Sequence, residues 1–339
     1  MSAFRKLLYP FSLLYGLAIR LRHFLYDHSI LKTQSFDIPL ICVGNLSVGG
    51  TGKSPMTEYL IRLLKSSHHV AVLSRGYKRK TIGYVLADAT SDALQIGDEP
   101  YQYFRKFPDI TVAVCEDRTT GIKKLKEESP TTELIILDDA FQHRKVTAGF
   151  SILLSSYGNL FTDDLLLPAG NLRDLRSRVD AADVILVTKC PSTLSPEKKE
   201  QITKGIHRYT KKPIFFTGIT YDSELRNNRK RISLNTLQNT PFTLVTGIAN
   251  PDPLVSFLKK EGFNFEHLKY GDHHNFNLQE IKMLKSRAQI ITTEKDFVRL
   301  EKHLPDSLYI SIEPYFLDET KNEFDQIVCN YLKKEKRIQ

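Results

Sequence analysis

The stretch from Val43 to Pro55 reads Val-Gly-Asn-Leu-Ser-Val-Gly-Gly-Thr-Gly-Lys-Ser-Pro. An apolar run, Ile38 to Val43, precedes it, and a helical pattern, Met56 to Lys65, follows. Strand, glycine-rich turn and helix in that order make the setting for a phosphate-binding loop. Glycines let backbone amides turn inward onto phosphate oxygens, and the helix N-terminus adds its positive end. The predicted cradle is Ser47, Val48, Gly49, Gly50, Thr51, Gly52, Lys53 and Ser54, with Ser47 where the full pattern has glycine. Lys53 has the reach for the β- and γ-phosphates, and the Ser54 hydroxyl suits magnesium. The bland alternative is a tight turn capping an ordinary helix.

A second signature is Leu134-Ile135-Ile136-Leu137-Asp138-Asp139. A buried strand ending in acids sets a carboxylate beside the phosphate loop at the carboxyl edge of a sheet. Magnesium takes hard oxygen ligands and keeps several waters, so one or two carboxylates suffice. Either aspartate can fill that role. Ile96-Gly97-Asp98-Glu99-Pro100 puts two acids on a turn before a helix, where Asp98 is equally readable as an N-cap or as a catalytic group. Gly271-Asp272-His273-His274 is a polar knot suited to acid–base work or to orienting a carboxylate. The segment Leu167 to Arg178 concentrates arginines after a Pro/Gly turn, and guanidinium groups suit bidentate contact with phosphate. Its plain reading is a charged surface helix. Ser74-Arg75-Gly76-Tyr77 leaves a strand and is basic just beyond.

These residues need a frame. Apolar runs at Ile38–Val43, His69–Leu73, Thr111–Cys115, Leu134–Leu137, Phe150–Leu154 and Val184–Val187 predict buried parallel strands, with helical patterns between several of them. The expected fold is α/β: a P-loop NTPase-like, doubly wound, mostly parallel sheet. Residues 31–220 form this core. Residues 221–240, polar and basic, read as a connector with a short hairpin, and residues 241–339 as a smaller α/β domain. The basic run Lys333 to Arg337 reads as a frayed end. The 339 residues suffice for two cores. Net charge of +9 favours anionic partners. The four cysteines show no paired spacing, which argues against a zinc site or a disulfide framework.

Residues 1–30 hold an uncharged run, Leu7 to Ile19, between Arg5-Lys6 and Arg20-Leu21-Arg22. About thirteen residues fall short of the roughly twenty that cross a bilayer. An amphipathic helix lying at the membrane interface is expected, with a helix docked on the protein itself as the alternative.

In order and spacing, Gly44-Asn45, Gly49-Gly50-Thr51-Gly52-Lys53-Ser54-Pro55, Ser74-Arg75-Gly76-Tyr77, Gly97-Asp98-Glu99-Pro100, Asp138-Asp139, Phe141-Gln142-His143, Leu167-Pro168-Ala169-Gly170, Leu172-Arg173, Asp272-His273-His274 and Thr293-Glu294-Lys295-Asp296 resemble the tetraacyldisaccharide 4'-kinases of lipid A biosynthesis. The resemblance implies transfer of the γ-phosphoryl group of ATP, with Mg2+, to the 4'-hydroxyl of a tetraacyl glucosamine disaccharide 1-phosphate held in the membrane. It implies Asp98 as the base and His273 as its partner. Tyr77, Arg118, Gln142, His143, Asn171 and Arg173 become candidates for contacting the lipid's sugar and 1-phosphate. It further implies action at the cytoplasmic face of a Gram-negative-type inner membrane. Departures are slight: Ser54 where the family usually has threonine, Ala140 where many have glycine, Asp174 where glutamate is common. The competing reading is a membrane-associated P-loop GTPase or ATPase switch, but Thr188-Lys189-Cys190-Pro191 lacks both the Asn and the Asp of a guanine-reading motif. A nucleic-acid-binding module is not expected, since the basic residues are dispersed rather than interleaved with aromatics.

Overall fold

Runs of Ile, Val and Leu with no polar alternation must be covered on both faces, which a sheet sandwiched between helices provides. The computed structural model describes Arg5 and residues 7–335. In it the runs become β1 (Leu40–Asn45), β2 (Val70–Ser74), β3 (Val85–Leu86), β4 (Thr111–Val114), β5 (Leu134–Asp138), β6 (Phe150–Ser156) and β7 (Val184–Thr188). There follow β8 (Ile214–Arg226), β9 (Arg231–Ser233), β10 (Phe242–Thr246), β11 (Phe265–Lys269), β12 (Ile290–Thr293) and β13 (Leu308–Phe316). The 13 strands of the described residues join in one sheet, in the order β11-β10-β12-β13-β8-β7-β6-β1-β5-β2-β4-β3, with β9 attached to β8. Pairing is parallel apart from β3 with β4, β8 with β9, and β8 with β13. This is the doubly wound, mostly parallel architecture expected. Because β1 lies between β5 and β6, the loops leaving β1 and β5 open side by side at one edge.

The two halves share β8. Its first residues, Ile214 to Phe216, pair with β7, and Thr217 to Arg226 pair with β13. The stretch read from sequence as a connector from Tyr221 thus begins inside a long strand and turns back as β9, the short hairpin. The closing helix, Lys321–Glu335, was grouped by sequence with the smaller unit. Its buried residues Phe324, Val328 and Leu332 pack with Ile41, Leu60 and Ile152 of the first half. The Tyr331 hydroxyl accepts from the Leu40 amide at 3.2 Å. Lys333 and Lys334 continue this helix; Lys336 and Arg337 lie outside the described residues.

The N-terminal helix runs Tyr9–Asp27, and Lys6 and residues 1–4 lie outside the described residues. Its inward face is mostly small or polar: Ser12, Gly16, His23 and Tyr26 are buried, with Ile19 among them. Ser12 donates to the Leu166 carbonyl at 3.0 Å, Tyr15 to that of Arg173 at 3.0 Å, and Arg22 to that of Gln142 at 2.8 Å. His23 Nε2 meets Asp174 Oδ1 at 2.6 Å. The outward face carries exposed Phe11, Leu13, Leu14, Leu17, Leu21 and Phe24. Usual amphipathicity is inverted, with polar groups docking the helix and leucines turned out. No helix among the described residues is long and apolar enough to cross a membrane.

The closing helix tests this architecture. Phe324 is fully buried against the rings of Phe215 and Phe316. Phe324→Ala should cost about 3–5 kcal/mol, read as a lower melting temperature; an unchanged transition would mean the helix is not part of this core.

Candidate functional site

The glycine-rich segment forms an open turn between β1 and helix Lys53–Leu64, which starts at Lys53, earlier than the Met56 read from sequence. Gly49 and Gly52 have φ of 102° and 88°, the left-handed region that glycine enters without strain. Three elements hold the turn. Asn45 Nδ2 donates to Thr51 Oγ1 at 2.8 Å. The Thr188 hydroxyl, at the end of β7, donates to the Thr51 carbonyl at 2.7 Å, and Lys189 donates to that of Gly50. On the other side the Val48 amide donates to the Asn171 carbonyl and the Arg173 amide to that of Leu46, both at 2.8 Å. The Leu167 to Arg173 segment therefore braces the cradle, a role its arginines did not announce.

Asp138 and Asp139 end β5 directly beside this turn. Asp138 is buried and accepts from Ser74 Oγ at 3.1 Å. Burial, and the charge of Asp139 beside it, push its carboxyl up to about 6. Asp139 bends away at φ 50°. Lys53 Nζ stands 3.8 Å from its Oδ1, and Arg173 donates to both of its oxygens. Burial raises Asp139, but these two cations outweigh it and its carboxyl lies below the usual range. Asp139 is thus paired directly with two cations, whereas Asp138 feels Lys53 only at longer range and is left under-compensated. Two hard-oxygen groups with the nearby Ser54 hydroxyl fit a magnesium ion, whose charge would compensate the second.

Across from the cradle, Gly97 (φ 93°) is the N-cap of helix Asp98–Lys106, and Asp98 is its first residue, not the cap read from sequence. Asp98 Oδ2 lies 2.9 Å from His273 Nδ1, so the two motifs, 175 positions apart, do meet. His273 adopts φ 58°, and its amide donates to the Gly247 carbonyl at 2.9 Å. The Gly247 amide in turn donates to Asp296 Oδ2 at 2.8 Å, and Thr293 Oγ1 donates to the same oxygen at 2.7 Å. Arg299 also reaches Asp98, with Nε 3.2 Å from Oδ1 and Nη2 on Oδ2. Burial raises Asp98, but its contacts with His273 and Arg299 and the charge of Arg299 bring it below the usual carboxylate range.

Helix Asp98–Lys106 faces helix Glu294–Leu300 through a series of opposite charges. Glu99 pairs with Lys295 at 2.8 Å, and Lys106 with Glu294 at 2.8 Å and Glu58 at 2.7 Å. Flanking residues add Tyr101 to Glu301 at 2.9 Å and Lys302 to Asp92 at 2.8 Å. Lys295 and Arg299 are site residues that sequence reasoning missed. The signal was present: Thr293-Glu294-Lys295-Asp296 was singled out, and Arg299 stands one helical turn beyond Asp296.

The remaining candidates divide. Tyr77 is 60% exposed, with its ring 6.0 Å from that of His273, open to a ligand. Burial, then the charges of Arg118, Arg75 and Arg22, bring the His143 imidazole down to about 4, so it is neutral inside a basic cluster. Gln142 donates to the Asn45 carbonyl at 2.6 Å. Asn171 is held by Asp164 at 3.0 Å and Arg5 at 3.0 Å. Arg118 is 1% exposed and gives its guanidinium to the carbonyls of Cys115 and Asp138. Arg173 is occupied by Asp139 and Asn45. These last groups support the walls of the site. Between the two halves, beside Ser54, lies a cavity of about 330 Å³ lined by Lys189, Ile219, Tyr221, Ile248, Leu254 and Ile312 among others.

Residues 4–333 match the family described as Tetraacyldisaccharide-1-P 4'-kinase. The chain is 47% identical to the tetraacyldisaccharide 4'-kinase of Flavobacterium johnsoniae, over 98% of both chains. It is 43% identical to the protein of that name from Bacteroides thetaiotaomicron, over 98% of this chain and 94% of the relative. The fold superposes with a TM-score of 0.80 on LpxK from Aquifex aeolicus, solved in complex with ATP, at 29% identity and covering 97% of this chain and 99% of that one.

The under-compensated Asp138 yields a test in metal-free buffer. Its folded value, about 6, exceeds the ordinary 3.8, so the folded state binds this proton more tightly than the unfolded chain. That advantage is complete below about pH 4 and is lost as pH rises through 6. Asp138→Asn should therefore stabilise the protein at pH 8, on the order of 2–3 kcal/mol, and change little at pH 4. Equal melting temperatures of the two proteins at pH 8 would contradict the reading.

Proposed function

The chain belongs to the tetraacyldisaccharide-1-P 4'-kinase family and is a kinase of lipid A biosynthesis; on that premise we infer how its own residues bind and phosphorylate the lipid. ATP is the donor and the 4'-hydroxyl of the tetraacyl disaccharide 1-phosphate is the acceptor. The contact between Asp98 and His273 carries this reading, because it assembles a base from both halves of the molecule opposite the phosphate cradle.

The amides from Ser47 to Ser54 bind the triphosphate, and the helix starting at Lys53 adds its positive end. Lys53 neutralises charge on the γ-phosphoryl group. Ser54, Asp138 and Asp139 would hold Mg2+, which would supply further neutralisation of the transferring group. The apolar cavity beside Ser54 accepts the nucleoside end. Asp98 orients the hydroxyl and takes its proton as the oxygen attacks phosphorus in line; the bond to the β-phosphate oxygen breaks and ADP leaves. A carboxylate held below its usual range stays ionised near neutral pH and is ready to accept that proton. Tyr77, at the open side of His273, contacts the sugar. His143 and the neighbouring exposed Arg75 face the 1-phosphate. Thr188 and Lys189, at the place of a guanine-reading motif, are committed instead to the carbonyls of the phosphate loop.

The exposed leucines of the N-terminal helix lie on the membrane at its cytoplasmic face. A lipid with four acyl chains is costly to extract, since each buried methylene is worth about 0.8 kcal/mol. A helix docked through Ser12, Tyr15, Arg22 and His23 keeps its apolar face free for acyl chains while holding the site near the headgroups.

Two measurements test these readings. With labelled ATP and the disaccharide lipid in micelles, Asp98→Ala should keep nucleotide affinity within about threefold and lose at least about 100-fold in kcat; turnover near the parent rate would remove Asp98 from the mechanism. Lys53→Ala should weaken ATP binding as well. The triple substitution of Leu14, Leu17 and Leu21 by Gln spares the docking face. It should abolish flotation with anionic liposomes and leave ATP binding unchanged; undiminished flotation would refute the membrane role of this face.

A further inference from the structure

We propose that Arg299 is the third member of the proton-accepting group, a positioning residue that fixes both the orientation of the Asp98 carboxylate and the tautomer of His273. This rests on the reading of Asp98 as the base.

The geometry around one nitrogen carries the inference. His273 Nδ1 lies 2.9 Å from Asp98 Oδ2 and 2.6 Å from Arg299 Nη2. A guanidinium has only donors. At 2.6 Å, Nδ1 therefore serves as the acceptor of an Arg299 N–H, and the imidazole proton sits on Nε2. That nitrogen faces Asp272, whose Oδ1 is 3.9 Å away. Arg299 meanwhile spans both oxygens of Asp98 through Nε and Nη2. The fork is planar and bidentate, which sets a carboxylate's plane as a lysine ammonium does not. Asp98 and His273 thus meet across a shared cation rather than through a direct N–H···O bond.

The support for Arg299 is itself built. Its side chain is 10% exposed, and Nη1 lies 3.7 Å from Asp296 Oδ1. Asp296 is buried and fixed by the Gly247 amide and the Thr293 hydroxyl. The Gly247 carbonyl accepts from the His273 amide, so the histidine and, through Asp296, the arginine are tied to one residue. Arg299 belongs to the helix Glu294–Leu300 and Asp98 to the opposing half, so the carboxylate is aimed only while the halves are together. The charged and titratable groups around Asp98 are His273, Asp272, Glu99 with its partner Lys295, and Arg299 with Asp296.

The experiment compares Arg299→Met and Arg299→Lys with the parent in full-length protein, using labelled ATP and the disaccharide lipid in micelles. In Arg299→Met the cation is gone, so the acid limb of the kcat profile should move up by about one pH unit or more, with kcat down at least tenfold and KM for ATP within twofold. Arg299→Lys keeps the charge but not the fork; its limb should stay in place while kcat falls. Nitrogen-15 spectra of the imidazoles should report His273 protonated on Nε2 in the parent and on Nδ1 in Arg299→Met, where Asp98 becomes its direct partner. Should the Met variant fail to fold, the Lys variant decides alone: parent kcat in it overturns the proposal. So does an unmoved acid limb in Arg299→Met, or an unchanged tautomer. Asp98→Asn separates the premise from the inference, because parent-like turnover there removes the base itself whatever Arg299 does.

Discussion

Two successive aspartates at the buried end of a strand set the terms for this molecule. Charges of one sign at such a site are unstable unless cations face them, and the protein supplies cations unequally. Lys53 and Arg173 pair directly with Asp139, whose backbone is bent out of the strand direction, while Asp138 accepts from a serine hydroxyl and feels Lys53 only at longer range. A divalent cation bound with the proposed phosphate would offset the remaining negative charge of Asp138. The bracing of the loop by Asn45, Thr188 and Asn171 follows from the same demand, since a glycine-rich turn loses more conformational freedom on ordering than any other.

The second half of the site is brought in by charge as well. Helix Asp98–Lys106 presents acids at its start and a lysine at its end; helix Glu294–Leu300 answers with Lys295, Arg299 and Glu294. Each contact is partly buried, so each is screened less by salt than a surface pair. Because Asp98 is itself one of these contacts, the interaction joining the halves and the group assigned to proton transfer are not separable. On the proposed reading of Asp98 as the base, contacts from the other half hold that base in place.

The N-terminal helix solves a different problem with the same economy. A soluble helix ordinarily buries its leucines. Here Gly16 and Ser12 allow close approach, and His23, Tyr15 and Arg22 supply the bonds, so docking consumes the polar groups. Its attachment points, Gln142, Leu166, Arg173 and Asp174, belong to the segments that brace or border the phosphate loop. The exposed leucine face, proposed to meet lipid, is thereby tied to the cradle.

Much of this was legible in the order of residues. Uninterrupted apolar runs determined the parallel strands, because only burial on both faces suits them, and the glycine spacing with Lys53 and Ser54 determined the phosphate loop, because its chemistry is local. The resemblance to lipid kinases brought Asp98 and His273 forward together. Tertiary structure alone decided what depends on distance through space: that β8 serves both halves, that the closing helix returns to the first core, and that Arg118, Asn171 and Arg173 turn toward the protein's own carbonyls and carboxylates. It also decided Arg299. A lone arginine on a helix is indistinguishable in sequence from a solvated one, since its charge acquires meaning only from the carboxylate that folding places within reach.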